Sequence, residues 1–152
     1  MNISIRRSVL GDLNLLESIE KVSFPFFQQS SRRTLNLSLK SSFQEVWFAD
    51  IKEDKTTKSV GCLVLHTHKK TLRIFSIGIL PEYQGLGIGF KLLKQAEVIA
   101  LSKGFERISL EVDANNRTLV QWYLKAGYHS TEMISDYYSE GQDALRLVFE
   151  LP

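Results

Sequence analysis

Cysteine is almost absent from this chain: Cys62 is the only one among 152 residues. No internal disulfide can form, which suits a reducing compartment. Cys62 lies in the apolar run VGCLVL and reads as a small buried side chain, since no motif around it marks a nucleophile. Net charge is scarce too, with 19 basic and 17 acidic residues giving +2. That is too little for a nucleic-acid footprint, and the pairs Arg6-Arg7, Arg32-Arg33 and Lys69-Lys70 are scattered, as solvated surface would be. No run approaches roughly 18 uninterrupted apolar residues, and the opening MNISIRRSVLGD lacks an apolar h-region. Neither a membrane span nor an export signal is expected, and the cytoplasm is the expected compartment. No repeat, low-complexity tract or Pro/Gly/Ser linker divides the chain, which reads as one domain, residues 1–152. His66 and His68 share a strand face without further ligands at a suitable spacing, so no metal is expected.

What is present is the make-up of an ordinary globular domain, 43% hydrophobic and 24% charged, long enough to bury a core. ISIRRS alternates weakly as a first strand. DLNLLESIEKV carries Leu13, Leu16, Ile19 and Glu20 at helical spacing behind Asp12 as N-cap. RRTLNLSLK is ambiguous, because Leu35, Leu37 and Leu39 alternate like a strand while the position suggests a short helix. EVWFADI, SVGCLVLHTH and TLRIFSIGIL read as strands, joined by the loop KEDKTTK and the turn KK. Ile88, Leu92, Leu93, Ala96, Ile99 and Ala100 form a helical stripe that Gly104 ends. RISLEV is a strand, NRTLVQWYLKA a helix, and YHSTEMISDYY and ALRLVFEL are strands joined by SEGQD. The order predicts an α+β fold with a mixed, mostly antiparallel central sheet.

The stretch PEYQGLGIGFKLL places three glycines at alternate positions between a strand and a helix. Glycine at a helix start costs roughly 1 kcal/mol against alanine. Such a loop can hold phosphate: unpaired N–H groups of the first turn converge, the helix dipole favours negative charge, and glycine lets the backbone come close. The dinucleotide pattern fails at Phe90, and the Walker pattern fails at Phe90 and Leu92. A tight turn without a ligand remains the alternative.

The run from Gln84 to Gly89, QGLGIG, resembles the Q/R-x-x-G-x-G/A motif of the Gcn5-related N-acetyltransferases, and the likeness extends over nearly the whole chain. It implies a sheet flanked by helices on both faces, and a loop (Gln84, Gly85, Leu86, Gly87, Ile88, Gly89) that binds the pyrophosphate of acetyl-coenzyme A through backbone N–H groups. It further implies cofactor contacts from the backbone of Ile77 and Ile79, with Gly78 between them suiting a bulge, and from Asn116, which equally suits a helix cap. SLEVDANNRTLVQWYLKAGY and DYYSEGQDALRLVFEL are similar to the ribosomal-protein alanine N-acetyltransferases and their eukaryotic N-terminal relatives. IEKVSFPFF resembles the IE…F-P-W-S segment of that subgroup, two residues shorter and with Phe26-Phe27 in place of Trp-Ser.

From pattern alone, Glu111 is a solvent-facing carboxylate on the strand face opposite Ile108, Leu110 and Val112, and Tyr123 belongs to a packed stripe with Leu119, Trp122 and Ala126. The resemblance makes Glu111 the general base and Tyr123 the general acid. A phenol of pKa near ~10 can protonate a thiolate whose thiol has pKa near ~8.5 at modest cost. Phe24, Phe26, Tyr137 and Tyr138 are the candidate substrate contacts, although adjacent strand residues face opposite ways, so at least one tyrosine is expected to serve packing. The function implied is acetyl transfer from acetyl-coenzyme A, without metal, to a protein N-terminal α-amine. Transfer to a polyamine or aminoglycoside, or coenzyme binding without catalysis, are the alternatives.

Overall fold

Apolar runs and helical periodicity become seven strands and four α-helices among the described residues, 2–152, of the computed structural model. In chain order these are β1 (Asn2–Arg7), α1 (Leu13–Ser23), α2 (Arg32–Lys40), β2 (Gln44–Glu53), β3 (Thr56–His68), β4 (Thr71–Ile79), α3 (Ile88–Ser102), β5 (Arg107–Asp113), α4 (Arg117–Lys125), β6 (His129–Ser139) and β7 (Gln142–Glu150). The strands form one sheet in the order β1-β2-β3-β4-β5-β7-β6. Pairs β1–β2, β2–β3, β5–β7 and β6–β7 are antiparallel, as the α+β reading expects. The chain divides into two compact units, Met1–His66 with Ile74–Ala96, and Thr67–Arg73 with Glu97–Pro152.

In the first unit, Leu16, Ile19, Leu35, Val46, Phe48, Cys62 and Val64 form a buried cluster on which Leu13, Leu15, Leu39, Phe75 and Leu80 pack. The ambiguous RRTLNLSLK is helical, since Leu35 and Ser38 are buried while Leu37 is 54% exposed, a period of three to four and not two. Ser31 caps α2 by accepting the Thr34 N–H at 3.2 Å. Asp12 stands at the N-cap position of α1 without capping it. Its Oδ2 instead accepts from Val9 N–H at 2.8 Å and Arg6 Nη1 at 3.1 Å. The expected KEDKTTK loop is shorter, because β2 runs to Glu53 and β3 starts at Thr56, leaving Asp54 at φ 53° in a tight turn. Glu20 is buried, and its carboxylate accepts from Ser30 N–H at 2.5 Å and Ser76 Oγ at 3.4 Å.

In the second unit, Ile108, Leu110 and Val112 of β5 are buried. Gly104, at φ 76°, follows α3, and Phe105 N–H closes on Ala100 O at 2.9 Å. SEGQD also contracts, with β6 ending at Ser139 and β7 beginning at Gln142. The pairing of β6 with β7 shifts between Ile134 and Ser139. There Asp136 sits at φ 54°, its N–H donates to Asp143 Oδ1 at 2.9 Å, and its Oδ1 accepts from Gly141 N–H at 2.8 Å. This bulge breaks strict strand alternation just before Tyr137.

Burial pushes the fully enclosed Cys62 thiol up to about 12, with Glu20 adding to the shift against hydrogen bonds to Gly78 and Ser76. A disulfide reagent at pH 8 is therefore expected to leave native Cys62 unmodified and to label it fully in denaturant. Labelling of the native chain as fast as the unfolded one would contradict this packing.

Candidate functional site

The glycine loop lies in the first unit. Gly85 and Gly87 have φ of 79° and 84°, and a Cβ built on either meets no atom within 4 Å. Only backbone conformation demands glycine there, and the space beside the loop is open. The first helical bond of α3 runs from Lys91 N–H to Gly87 O at 3.1 Å. The N–H groups of Ile88, Gly89 and Phe90 thus have no helical acceptor and none elsewhere among the described residues. Gln84 folds back, donating from Nε2 to Ile79 O at 3.1 Å, and so ties the loop to the end of β4. Leu86 is exposed and Ile88 buried. Ile77 and Ile79 share the β4 face opposite buried Ser76 and Gly78. A side chain on Gly78 would press on Ser23 Cβ at 3.0 Å and the Phe24 ring at 3.2 Å. Close packing against the end of α1 therefore requires glycine at that position. Phe24 is half-buried by this contact, whereas Phe26 is 90% exposed.

The second unit holds the carboxylate. The side chain of Glu111 is 4% exposed. Its Oε1 accepts from Arg73 Nε at 2.8 Å and from Tyr137 Oη at 3.2 Å, with Arg73 Nη2 at 2.5 Å, and its Oε2 accepts from Arg146 Nε at 3.1 Å. Arg73 Nη2 also donates to Tyr137 Oη at 2.6 Å. Arg146 reaches Glu132 through Nη1. The solvent-facing carboxylate expected from strand alternation is thus enclosed by cationic donors. Pattern reading missed Arg73, Arg146 and Glu132, because only the sheet brings the two arginines to Glu111 and Glu132 to Arg146.

Tyr123 of α4 is buried, edge-on to Trp122 and to Tyr128 at centroid distances of 4.9 and 5.6 Å. Burial raises its pKa well above the ordinary phenol value, and nearby Tyr138 adds to the rise. Tyr123 stays protonated far into the alkaline range, and giving up its proton costs more than a free phenol would pay. Tyr138 and Tyr137 are raised as well, again first by burial, then by Tyr137 and Glu111 respectively. The rings of Tyr137 and Tyr138 meet edge-to-face at 4.9 Å. The bulge thus brings together two side chains that strict alternation would send to opposite faces. Asn116 caps α4, its Oδ1 accepting Leu119 N–H at 3.2 Å. Among the described residues no group of three or more His, Cys, Asp or Glu is placed to hold a metal, and His66 stacks on Phe75 at 4.4 Å. No helix among them is long and apolar enough to cross a membrane.

Residues 13–128 match the family model described as acetyltransferase (GNAT) family. The chain belongs to that family. The GNAT match begins at α1 and runs past α4, through residues of both units. Among GNAT relatives, N-alpha-acetyltransferase MAK3 of Arabidopsis thaliana is 29% identical over 99 residues, 62% of this chain and 52% of that protein. N-alpha-acetyltransferase 50 of Danio rerio is 29% identical over 145 residues, 91% of this chain and 84% of that one. The chain spans about half the length of the first curated relatives it matches. The crystal structure of the ribosomal-protein-S18-alanine N-acetyltransferase of Escherichia coli superposes with a TM-score of 0.85 at 20% identity, covering 98% of this chain and 94% of that chain. At that identity the likeness bears on the GNAT fold.

The phenols supply a pH test. Groups whose pKa is raised by folding hold their protons more tightly in the native state, so they stabilise it fully below the unfolded value and lose that stabilisation as pH rises through the folded value. For Tyr123, Tyr128 and Tyr138 the unfolded value is 10.0 and the folded values lie higher. Above about pH 10 stability should fall, and phenolate absorbance of the native chain should lag behind that of the denatured chain. Coincident titrations would place these rings in water.

Proposed function

We propose that this chain is an acetyltransferase that uses acetyl-coenzyme A as co-substrate, needs no metal, and acetylates the N-terminal α-amine of a protein or peptide. The observation that carries the reading is the open glycine loop from Gln84 to Gly89 at the start of α3, whose N–H groups lack acceptors, in a chain of this family. Backbone donors at a helix N-terminus suit the coenzyme pyrophosphate. The relatives named as N-alpha-acetyltransferases support the choice of an α-amine.

The chemistry favours the same acceptor. With an α-amino pKa near ~7.8 and a lysine pKa near ~10.4, freeing the amine at pH 7 costs roughly 1 and about 4.6 kcal/mol respectively. Both oxygens of Glu111 are already engaged, one by Arg73 and Tyr137 and the other by Arg146. A carboxylate so engaged suits an acceptor that needs little help in losing its proton. In this reading Glu111 assists deprotonation, and Tyr123, still protonated, is the donor for the departing thiolate. Asn116 and the backbone of Ile77 and Ile79 serve the coenzyme, and Phe24, Phe26, Tyr137 and Tyr138 are assigned to the acceptor. A terminal alanine or similar small residue is the preferred substrate, and a ribosomal protein is its source.

Three measurements test this. At about 100 times its Kd, acetyl-coenzyme A should add roughly 2.7 kcal/mol of stability, and Gly87→Val should remove most of that shift. A melting temperature indifferent to acetyl-coenzyme A would defeat the proposal. Glu111→Gln should lower kcat by ~10²–10⁴-fold with acetyl-coenzyme A affinity nearly kept. Full activity in that variant would return Glu111 to a structural role. A peptide with free N-terminal alanine should be acetylated on its α-amine, and blocking that amine while leaving a lysine free should abolish the reaction. Acetyl placed on lysine, or faster turnover with spermidine than with any peptide, would overturn the α-amine assignment.

A further inference from the structure

Directly opposed residues of paired strands stand on the same face. Glu111 of β5 is opposite Arg146 of β7, and Arg146 is opposite Glu132 of β6. Arg73 of β4 closes on Glu111 from the other side. The four side chains make a row of alternating charge: cation, anion, cation, anion. Its members are unequally exposed: the side chains of Arg73 and Arg146 are 32% and 38% exposed, that of Glu132 52%, but that of Glu111 only 4%. Tyr137, whose hydroxyl bonds both Arg73 and Glu111, is 37% exposed. An incoming molecule meets the arginines and Tyr137, with the carboxylate behind them.

We propose that Arg73 and Arg146 are positioning residues for acetyl transfer: they act through Glu111, fixing both its oxygens so that its charge is presented through the Tyr137 hydroxyl. The proposal rests on the acetyltransferase reading. In that reaction the amine nitrogen, freed of its ammonium proton, bonds to the thioester carbon and then sheds a second proton; the C–S bond breaks, and sulfur leaves with the electron pair and takes up a proton. Arginine neither gives up its proton nor accepts a hydrogen bond in proteins. The pair can therefore hold an anion but cannot carry a proton. The planar fork gives directional donors that a lysine lacks. A buried carboxylate stripped of one of its two cations is less fully compensated and more loosely oriented.

Turnover of an N-terminal alanine peptide is measured for the wild type, Arg146→Met, Arg73→Met, Arg146→Lys, Glu111→Gln and the double variant Arg146→Met/Glu111→Gln. Melting temperature and the stabilisation by acetyl-coenzyme A are recorded for each. Arg146→Met and Arg73→Met should each lower kcat about ten- to a hundred-fold while the acetyl-coenzyme A shift persists, and Arg146→Lys should recover part of the loss. In the Glu111→Gln background Arg146→Met should cost nothing further, because the residue through which it acts is already lost. Should Arg146→Met fail to fold, Arg146→Gln, which keeps a donor and most of the volume, replaces it in the cycle. Full kcat in the arginine variants, or losses that multiply in the double variant, would overturn the proposal. A wild type that releases no thiol with any amine would overturn the acetyltransferase reading itself, and the positioning role with it.

Discussion

A carboxylate withdrawn from water must be met by positive charge and by hydrogen-bond donors, or it will not remain where the chain puts it. Glu111 is met on both oxygens, by Arg73 and Tyr137 on one and Arg146 on the other. Satisfying it constrains four strands at once. β5 must carry the glutamate on its non-core face, β7 must pair in the register that sets Arg146 opposite, and β4 must deliver Arg73 at its start. β6 must then bulge at Asp136 before its tyrosines, an arrangement that Asp143 secures by accepting the Asp136 N–H. The candidate chemistry of the second unit follows from that compensation.

The first unit solves the same problem differently. Glu20 is as enclosed as Glu111, yet its partners are a backbone N–H and a serine hydroxyl. Its bond to Ser30 N–H fixes the chain beyond Phe24–Phe27, and Gln29 Nε2 donates to Phe24 O at 3.0 Å within the same segment. Neutral donors can hold a loop, but they leave a buried carboxylate without a cation. The contrast separates an anchoring carboxylate from one built into a charged row.

Much of the fold was legible because local rules decided it. Most strands announced themselves by apolar runs between turn residues, the α3 stripe ended at Gly104 as expected, and the order of elements gave the fold class. Loop lengths were less legible. Polar residues such as Lys52, Glu53, Thr56 and Thr57 read as loop, but antiparallel pairing through backbone groups extends a hairpin beyond its apolar part. The resemblance named Glu111 and Tyr123, but nothing local showed that Glu111 is enclosed. Its partners lie 38 and 35 residues away in the sequence, and register, which no local pattern encodes, brings them together. The pairing of Tyr137 with Tyr138 was hidden for a related reason, since it depends on a bulge that Asp143 stabilises from the next strand.

The glycines show how packing and function can be separated by the same physical measure. Gly61 and Gly78 are crowded: a Cβ at Gly61 would lie 2.9 Å from Ile79 Cδ1, and one at Gly78 would press on Ser23 and Phe24. There glycine serves the interior. At Gly85 and Gly87 nothing lies within 4 Å of the missing Cβ, so the interior asks for nothing. Both adopt positive φ and together bend the chain into a helix start whose first N–H groups remain unused. Keeping two flexible residues in one exposed turn opposes folding, and its free donors are left to water or to an anion. A bound anion would offset that cost by taking up those donors, so the feature least explained by packing is the one that supports the proposed coenzyme site.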